Sequence, residues 1–110
     1  MKWIELQEPG QLEEIRTKSY NQPQVIFKHS TRCSISSMAK SRLENAETPE
    51  GIEFYHLDLI RFRELSNQVA ADFDVWHESP QVLLIENGEC SYDESHIGIT
   101  MPNLLDQLRG

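Results

Sequence analysis

The sequence has no long hydrophobic run and few basic residues. In 110 residues, the longest uninterrupted aliphatic run is Val82–Ile85, which suits a buried strand and is far too short to cross a membrane. The N-terminal residues lack an apolar signal-peptide core, so we expect a cytoplasmic protein. Asp and Glu number 18 against 10 Lys and Arg, giving a net charge of −8. Because binding a phosphate backbone needs a basic surface, this balance argues against a nucleic-acid partner.

Cysteine is also scarce, and its placement excludes several functions. Cys33 and Cys90 are far apart and form no C-x-x-C pair, which rules out a zinc ribbon and a dithiol redox motif. The four histidines show no paired ligand spacing typical of a zinc site. In a cytoplasmic chain, a stable disulfide between Cys33 and Cys90 is not expected.

The length and the pattern of the chain predict one α/β domain over residues 1–110, because this length supports one core but not two. Hydrophobic periodicity predicts the order β-α-β-α-β-α-β-β-α. The predicted strands are 2–6, 24–29, 52–58, 81–86 and 89–95, and helices begin near residues 9, 33, 61 and 100. Strands separated by helices need parallel crossovers, whereas Asn87-Gly88 predicts a terminal antiparallel hairpin. We therefore expect a four- to five-stranded mixed sheet flanked by helices.

Apolar spacing also predicts which side of each helix is buried. The residues expected to face the core are Ile35, Met38, Ala39 and Leu43 in the second helix, Phe62, Leu65, Val69 and Phe73 in the third, and Leu104, Leu105 and Leu108 in the last. Trp3 is expected to pack in or near the core. Trp76, in the loop before Pro80, is also expected to pack, the alternative being that it shapes a binding surface near Cys33.

Cys33 directly follows a predicted central strand and begins a predicted helix. The free amide groups and the positive end of the helix dipole at such a position favour the thiolate over the thiol. The stretch 28–43 contains no Asp or Glu, which adds to this effect. Its basic residues are Lys28, Arg32, Lys40 and Arg42. Since the thiolate is the reactive form, the position predicts a nucleophile rather than a small buried hydrophobe.

Three features together resemble the thioredoxin superfamily over nearly the whole chain. They are the strand–Cys33–helix unit, Ser79-Pro80 before the next strand, and the Asn87-Gly88 hairpin. In that superfamily a C-x-x-C motif starts the second helix. The corresponding residues here are Cys33-Ser34-Ile35-Ser36, so a serine stands where the resolving cysteine would be. The sequence therefore looks like a monothiol variant.

The closer resemblance is to the YtxJ-like monothiol bacilliredoxins of the bacillithiol system. It rests on Thr31-Arg32-Cys33-Ser34-Ile35-Ser36, on Ser79-Pro80-Gln81-Val82-Leu83 and on Asp93-Glu94-Ser95-His96. Members typically carry T-C-P-I-S, whereas this chain has Arg32 between the threonine and the cysteine and Ser34 in place of the proline. The resemblance implies a thiol–disulfide oxidoreductase that removes bacillithiol from S-bacillithiolated proteins. Bacillithiol is the implied co-substrate, with no tightly bound cofactor or metal, and a low-molecular-weight or protein thiol regenerates Cys33.

The resemblance also implies where the substrate binds. The residues expected to contact it are Thr31, Arg32, Ser34, Ser36, Ser79, Pro80 and His96. In the resembled fold the proline at position 80 is cis and lies opposite the cysteine, which leaves the Ser79 backbone to pair with an extended segment. Ser36 either donates a hydrogen bond to the thiolate or only occupies the first helical turn. His96 either binds an anionic thiol or is an ordinary surface histidine.

Two other functions are compatible with the same sequence. One is a non-catalytic thioredoxin-fold interaction module in which Cys33 is incidental. The other is an iron–sulfur-binding monothiol protein that uses Cys33 and an external thiol. In each case Cys90, within the second hairpin strand, is expected to be structural, and Asp58 is expected to cap the turn before the third helix.

Overall fold

The structure is a computed structural model that describes residues 1–108. Its strands are β1 (Trp3–Glu5), β2 (Gln24–His29), β3 (Glu53–Asp58), β4 (Gln81–Glu86) and β5 (Glu89–Ser95). Its helices are α1 (Gly10–Lys18), α2 (Ser34–Asn45), α3 (Arg63–Asp72) and α4 (Met101–Asp106), with a short 3-10 turn at His96–Gly98. The predicted order of the elements is confirmed. No helix in the described part of the chain is both long and apolar enough to span a membrane.

The strands form one mixed sheet in the order β1-β3-β2-β4-β5. β3 is parallel to both β1 and β2, whereas β4 is antiparallel to β2 and to β5. β2 and β4 lie at the centre and are buried along their whole length, because helices cover both faces of the sheet. The predicted mixed α/β sheet is confirmed, with five strands.

Alternation of side chains along β2 divides the core into two layers. Ile26 faces the layer under α1 and α3, and the next residue, Phe27, faces the layer under α2 and α4. The first layer includes Leu12, Ile15, Tyr55, Leu57, Val69 and Leu83. The second includes Val25, Leu43, Phe54, Val82 and Leu104. Packing against the second layer fixes α2, and therefore its first residues, on one face of the central strand.

The turns and caps follow local sequence chemistry. Asn87 and Gly88 have φ angles of 52° and 81°, the geometry of a type I′ hairpin turn. A Cβ on Gly88 would collide with the ring of Tyr20, so Tyr20 covers the turn and stays exposed. The hydroxyl of Thr100 accepts from the Asn103 N–H at 3.2 Å. The carboxylate of Asp58 accepts from two backbone N–H groups in the turn before α3, as predicted.

The buried side of α2 differs from the prediction. Ile35 and Met38, expected to face the core, are 48% and 61% exposed, whereas Ser36, Ala39 and Leu43 are completely buried. Apolar spacing missed this arrangement because Ser36 finds polar partners inside the protein. In α4, similarly, Leu104 is buried but Leu105 is exposed.

Candidate active site

Cys33 lies at the carboxyl end of the central strand and is the N-cap residue of α2. β2 ends at His29, and the chain then turns so that the Cys33 N–H donates to the Ser30 carbonyl at 3.1 Å. The Cys33 carbonyl accepts from the Ser37 N–H at 3.0 Å, which starts the helix. The thiol is partly exposed and forms no disulfide. An accessible free thiol is thus placed at the positive end of a 12-residue helix.

Ser36, one turn after Cys33, supports the loop between β2 and α2. Its hydroxyl accepts from the Ser30 N–H at 3.0 Å and lies 2.7 Å from Nδ1 of His29. The side chain is completely buried, so the prediction that Ser36 binds the substrate is wrong. Instead, it ties the first turn of α2 to the end of β2 and holds the loop that carries Cys33.

The histidine that supports Ser36 is itself buried. The His29 ring stacks on Phe27 with 5.7 Å between centroids and lies 5.3 Å from the ring of His56. Burial, with smaller effects of His56 and Lys40, lowers the pKa of His29, so the imidazole is neutral at neutral pH. A neutral ring with an unprotonated Nδ1 lets the Ser36 hydroxyl donate to His29 while it accepts from Ser30.

Lys28 does not contribute to the charge around Cys33. It lies on the opposite face of the sheet from His29 and is completely buried beneath α3. There its Nζ donates to the Ser66 carbonyl at 3.1 Å and to Nδ1 of His77 at 3.3 Å. Burial lowers the pKa of Lys28 to about 8. The expectation that Lys28 stabilises the Cys33 thiolate is therefore wrong.

The other basic residues of the stretch 28–43 are also largely engaged. Lys40 forms an ion pair with Glu44 at 2.8 Å, and Arg42 donates to the carbonyls of His96 and Ile99, each at 3.2 Å. Arg32 is exposed and directly precedes Cys33. Of the four predicted basic residues, Arg32 is thus the one placed to offer its charge to an anion near the thiol.

The loop before β4 approaches the same end of the sheet. Lys28 pairs with Gln81 in the β2–β4 register, so Pro80 enters beside the end of β2 from which the Cys33 loop leaves. The Ser79–Pro80 peptide bond is cis, as the resemblance implies. Ser79 is partly exposed, whereas Pro80 is buried. Pairing of the Ser79 backbone with a substrate stays a prediction.

The remaining predicted contacts lie at the surface. Thr31 and Ser34 flank the thiol and are exposed. His96 is exposed, begins the 3-10 turn with a φ of 56°, and is joined to α2 through its carbonyl and Arg42. All three side chains are accessible, and their contact with a substrate stays a prediction.

Among the described residues, several large apolar side chains that were not predicted at the surface are exposed. Trp3 packs on Phe27 as predicted, with 5.7 Å between ring centroids, but Trp76, in the loop before Pro80, is 91% exposed. Ile97 in the 3-10 turn is 84% exposed, and Ile35 and Met38 are the exposed residues of α2 noted above. Such side chains mark a protein-binding surface where they form a contiguous patch. In the sequence, the polar neighbours His77 and Glu78 are the signal that Trp76 is exposed.

Cys90 has an environment unlike that of Cys33. It packs against the first core layer, on the face of the sheet that α2 does not cover, and its Sγ donates to the Tyr92 carbonyl at 3.3 Å. Burial and the nearby Asp93 raise the pKa of Cys90 to about 11, which disfavours the thiolate. Within residues 1–108, neither cysteine belongs to a cluster of three His, Cys, Asp or Glu side chains able to hold a metal.

The variant Lys28→Met is expected to raise the free energy of unfolding at neutral pH. The ammonium has a pKa of about 8 in the native state against 10.5 for an ordinary lysine, a difference equivalent to about 3 kcal/mol of destabilisation. The lost hydrogen bonds to Ser66 and His77 offset about 1 kcal/mol each. A net gain of about 1 kcal/mol should appear in urea denaturation at pH 7.

The pH dependence of this gain identifies its cause. Below pH 8, Lys28 is charged in both the native and unfolded states, so the buried charge carries its full cost. Between pH 8 and 10.5 the native state loses the proton first, so the parent becomes more stable as the pH rises. The advantage of Lys28→Met should then fall through zero and reverse, leaving the variant less stable than the parent by about 2 kcal/mol, the contribution of the lost hydrogen bonds. Lys2→Met, which removes an exposed lysine, is the control and should change little. A Lys28→Met protein clearly less stable than the parent at pH 7 would contradict the assignment.

A free cysteine that begins a helix after a central strand, beside a cis-proline loop, defines the class of thioredoxin-fold thiol oxidoreductases.

Solved structures support this class. A candidate oxidoreductase with a thioredoxin fold superposes with a TM-score of 0.83 at 29% identity, covering 94% of this chain and 91% of that chain. The thioredoxin of Trypanosoma brucei brucei has a TM-score of 0.73 at 14% identity, with 98% and 88% covered. Thioredoxin f2 of Chlamydomonas reinhardtii has a TM-score of 0.71 at 14% identity, with 96% and 92% covered. The last two show the shared fold.

Within this class, the chain also matches one particular sequence family. The family model described as "Monothiol bacilliredoxin BrxC" matches residues 4–104, which is nearly the whole chain. The protein therefore belongs to the monothiol bacilliredoxin family, and the resemblance found in the sequence is confirmed. The family and the fold together support a thiol redox function and oxidoreductase activity.

Proposed function

We propose that the protein removes bacillithiol from S-bacillithiolated cytoplasmic proteins by a monothiol, glutaredoxin-like mechanism with Cys33 as the nucleophile. The observation that carries this proposal is a free, partly exposed thiol at the start of α2 with a buried serine, Ser36, at the resolving position. The match to a monothiol bacilliredoxin family supports it. Two unpaired cysteines also suit a reducing compartment.

In the first step, the Cys33 thiolate attacks the bacillithiol sulfur of a mixed disulfide on a client protein. The S–S bond of the mixed disulfide breaks, and a new S–S bond joins Cys33 to bacillithiol. The client cysteine leaves as a thiolate and takes up a proton from solvent. The client is thereby reduced, and Cys33 is oxidised to a mixed disulfide.

In the second step, an external thiol regenerates the enzyme. Because Ser36 cannot form a disulfide with Cys33, no intramolecular resolution is available at that position. The thiolate of a low-molecular-weight thiol, or of another protein, attacks the bacillithiol sulfur and releases Cys33 as a thiolate. The external thiol carries the bacillithiol away as a new disulfide.

The positive charge around Cys33 favours an anionic co-substrate. This charge comes from fewer residues than the sequence suggests. Bacillithiol is anionic, and Arg32 can pair with it beside the reacting sulfur. The unpaired backbone N–H groups in the first turn of α2 add positive potential. Lys28, Lys40 and Arg42 are occupied elsewhere, so removal of Arg32 should weaken bacillithiol recognition most.

The proposal is tested with a peptide that carries a bacillithiol mixed disulfide on one cysteine. Incubation with the reduced protein should yield reduced peptide and a protein whose mass has increased by one bacillithiol, located on Cys33 by peptide mapping. The same peptide capped with glutathione is the matched comparison for thiol preference, and we expect it to react more slowly.

Two results would count against the proposal. If peptide and protein become linked to each other, Cys33 attacks the client sulfur and the assigned direction is wrong. If neither mixed disulfide reacts, the protein is not an exchange enzyme, and a non-catalytic interaction module, which the exposed Trp76 and Ile97 favour, becomes the better assignment. Iron and visible absorption in freshly purified protein would instead support the iron–sulfur alternative.

A further inference from the structure

The loop Asp74–Ser79, which leads into the cis Pro80, has no regular secondary structure but is held at three successive residues. The Trp76 carbonyl accepts from Nε2 of Gln81 at 2.8 Å. Nδ1 of His77 accepts from Nζ of Lys28 at 3.3 Å. The Glu78 N–H donates to Oε1 of Gln81 at 3.4 Å. Lys28 and Gln81 therefore make three contacts with the loop, and the hydroxyl of Ser66 lies 3.5 Å from the same Nδ1 of His77.

These two side chains belong to one place in the sheet. Lys28 on β2 and Gln81 on β4 are direct partners in the antiparallel register, so they project from the same face. Both are completely buried. Side by side, they form a polar pair at the end of two otherwise largely apolar central strands.

Packing alone gives no reason for this pair. A buried ammonium without a carboxylate partner is costly, and an apolar residue of similar length at such a site is often neutral or stabilising. The polar atoms of Lys28 and Gln81 are used mainly on the loop, with one further contact from Lys28 to the Ser66 carbonyl. A requirement to hold the loop explains why polar groups occupy these positions.

We propose that Lys28 and Gln81 are positioning residues that hold the loop Asp74–Ser79 so that a protein substrate can dock beside Cys33. This inference rests on the proposed function and deepens it, since it assigns to the loop the recognition of the client polypeptide. Trp76 is the loop's exposed apolar contact, and the Ser79 backbone is its strand-like edge. Neither Lys28 nor Gln81 touches the reacting sulfur atoms.

The loop should matter for a polypeptide substrate and not for a small one. A small symmetric disulfide needs only access to Cys33, whereas a protein segment must also lie along Trp76 and Ser79. Loosening the loop should therefore slow exchange with a peptide mixed disulfide and leave exchange with a small disulfide nearly unchanged. Because both reactions use Cys33, its ionisation cancels in the ratio of the two rates.

The kinetic test compares Lys28→Met and Gln81→Met with the parent protein, using 2-hydroxyethyl disulfide and the bacillithiol-capped peptide. We expect the ratio of peptide rate to small-disulfide rate to fall about tenfold in each variant, as misplacement of binding groups slows a reaction. Lys2→Met is the matched control for loss of a lysine and should keep the ratio. His77→Asn, which retains an acceptor for Lys28, should keep more of the ratio than His77→Leu.

A second measurement tests whether the loop is held in place, and it does not depend on disulfide exchange. Burial, with further effects of Lys28 and Arg63 and an opposing effect of Glu78, lowers the pKa of His77. In Lys28→Met, NMR titration should show the pKa of His77 moving upward. The Glu78 amide should exchange its hydrogen faster in Gln81→Met, because its acceptor is gone.

The outcomes separate this inference from the proposed function. An unchanged rate ratio together with an unchanged loop by NMR would overturn the positioning role. So would an equal loss of rate with both disulfides, which would place the effect on Cys33 or on folding. If the parent protein reacts with neither disulfide, the proposed function fails. The His77 titration and the Glu78 exchange then still decide whether Lys28 and Gln81 hold the loop.

Discussion

Cys33→Ser is expected to abolish thiol–disulfide exchange completely, whereas Cys90→Ser should leave it unchanged. A serine hydroxyl does not form disulfides, so no adduct can form at position 33. Cys90, with a pKa of about 11, has only about one molecule in 10⁴ as thiolate at pH 7. It also lies on the other face of the sheet from α2. Intact mass after incubation with oxidised bacillithiol should show one adduct on the parent and on Cys90→Ser, and none on Cys33→Ser.

A pH series makes this test sharper. Adduct formation at Cys90 should become detectable in Cys33→Ser only as the pH approaches about 11. Circular dichroism would verify that both variants are folded. An adduct confined to Cys90 at pH 7 would contradict the assignment of Cys33 as the nucleophile.

Ser36→Cys is expected to convert the monothiol mechanism into a dithiol mechanism. The variant completes a C-x-x-C sequence at the start of α2, the arrangement in which a second thiol resolves a mixed disulfide on the first. After reaction with oxidised bacillithiol, the parent should keep its adduct. The variant should release bacillithiol and become lighter than its reduced form by two hydrogen atoms. Intact mass measured over time distinguishes these products.

Matched controls distinguish resolution of the mixed disulfide by the introduced thiol from the loss of the hydrogen bonds that Ser36 makes to the loop before α2. Ser36→Ala leaves the partly buried Ser30 N–H without its acceptor, so we expect about 1–3 kcal/mol of destabilisation with the bacillithiol adduct retained. Ser37→Cys adds an exposed cysteine one position later and should not release the adduct as fast. A stable adduct on Ser36→Cys would show that position 36 cannot reach Cys33.

The sheet and its connections are largely predictable from local sequence. Alternating and helical periodicities predicted the five strands and four α-helices found in residues 1–108, with boundary errors of a few residues, because each element buries one face. Asn87 and Gly88 predicted the hairpin, since both adopt positive φ. Thr100 predicted the cap of α4 because its hydroxyl satisfies a free N–H of the first turn.

Errors on polar residues arise from tertiary contacts that no local pattern shows. Lys28 contacts Ser66 and His77, and no local pattern shows that a lysine on a central strand points under a helix. Ser36 was expected to contact the substrate, but its hydroxyl is held by His29 and Ser30 and its side chain is buried. Counting charges along the chain therefore overstated the positive field at Cys33.

Sequence was enough to place Cys33 at the start of α2 and to make it the candidate nucleophile, because a thiol between a strand and a helix is a local arrangement whose chemistry follows from the helix terminus. It also sufficed for the thioredoxin fold and for the monothiol character, since position 36 is read directly. Only the tertiary structure decided which face of the sheet each side chain occupies. In the folded protein Lys28 lies beneath α3, Ser36 is buried under the loop before α2, and Trp76 is exposed. These positions depend on burial and on hydrogen bonds that form only when separate segments of the chain pack together.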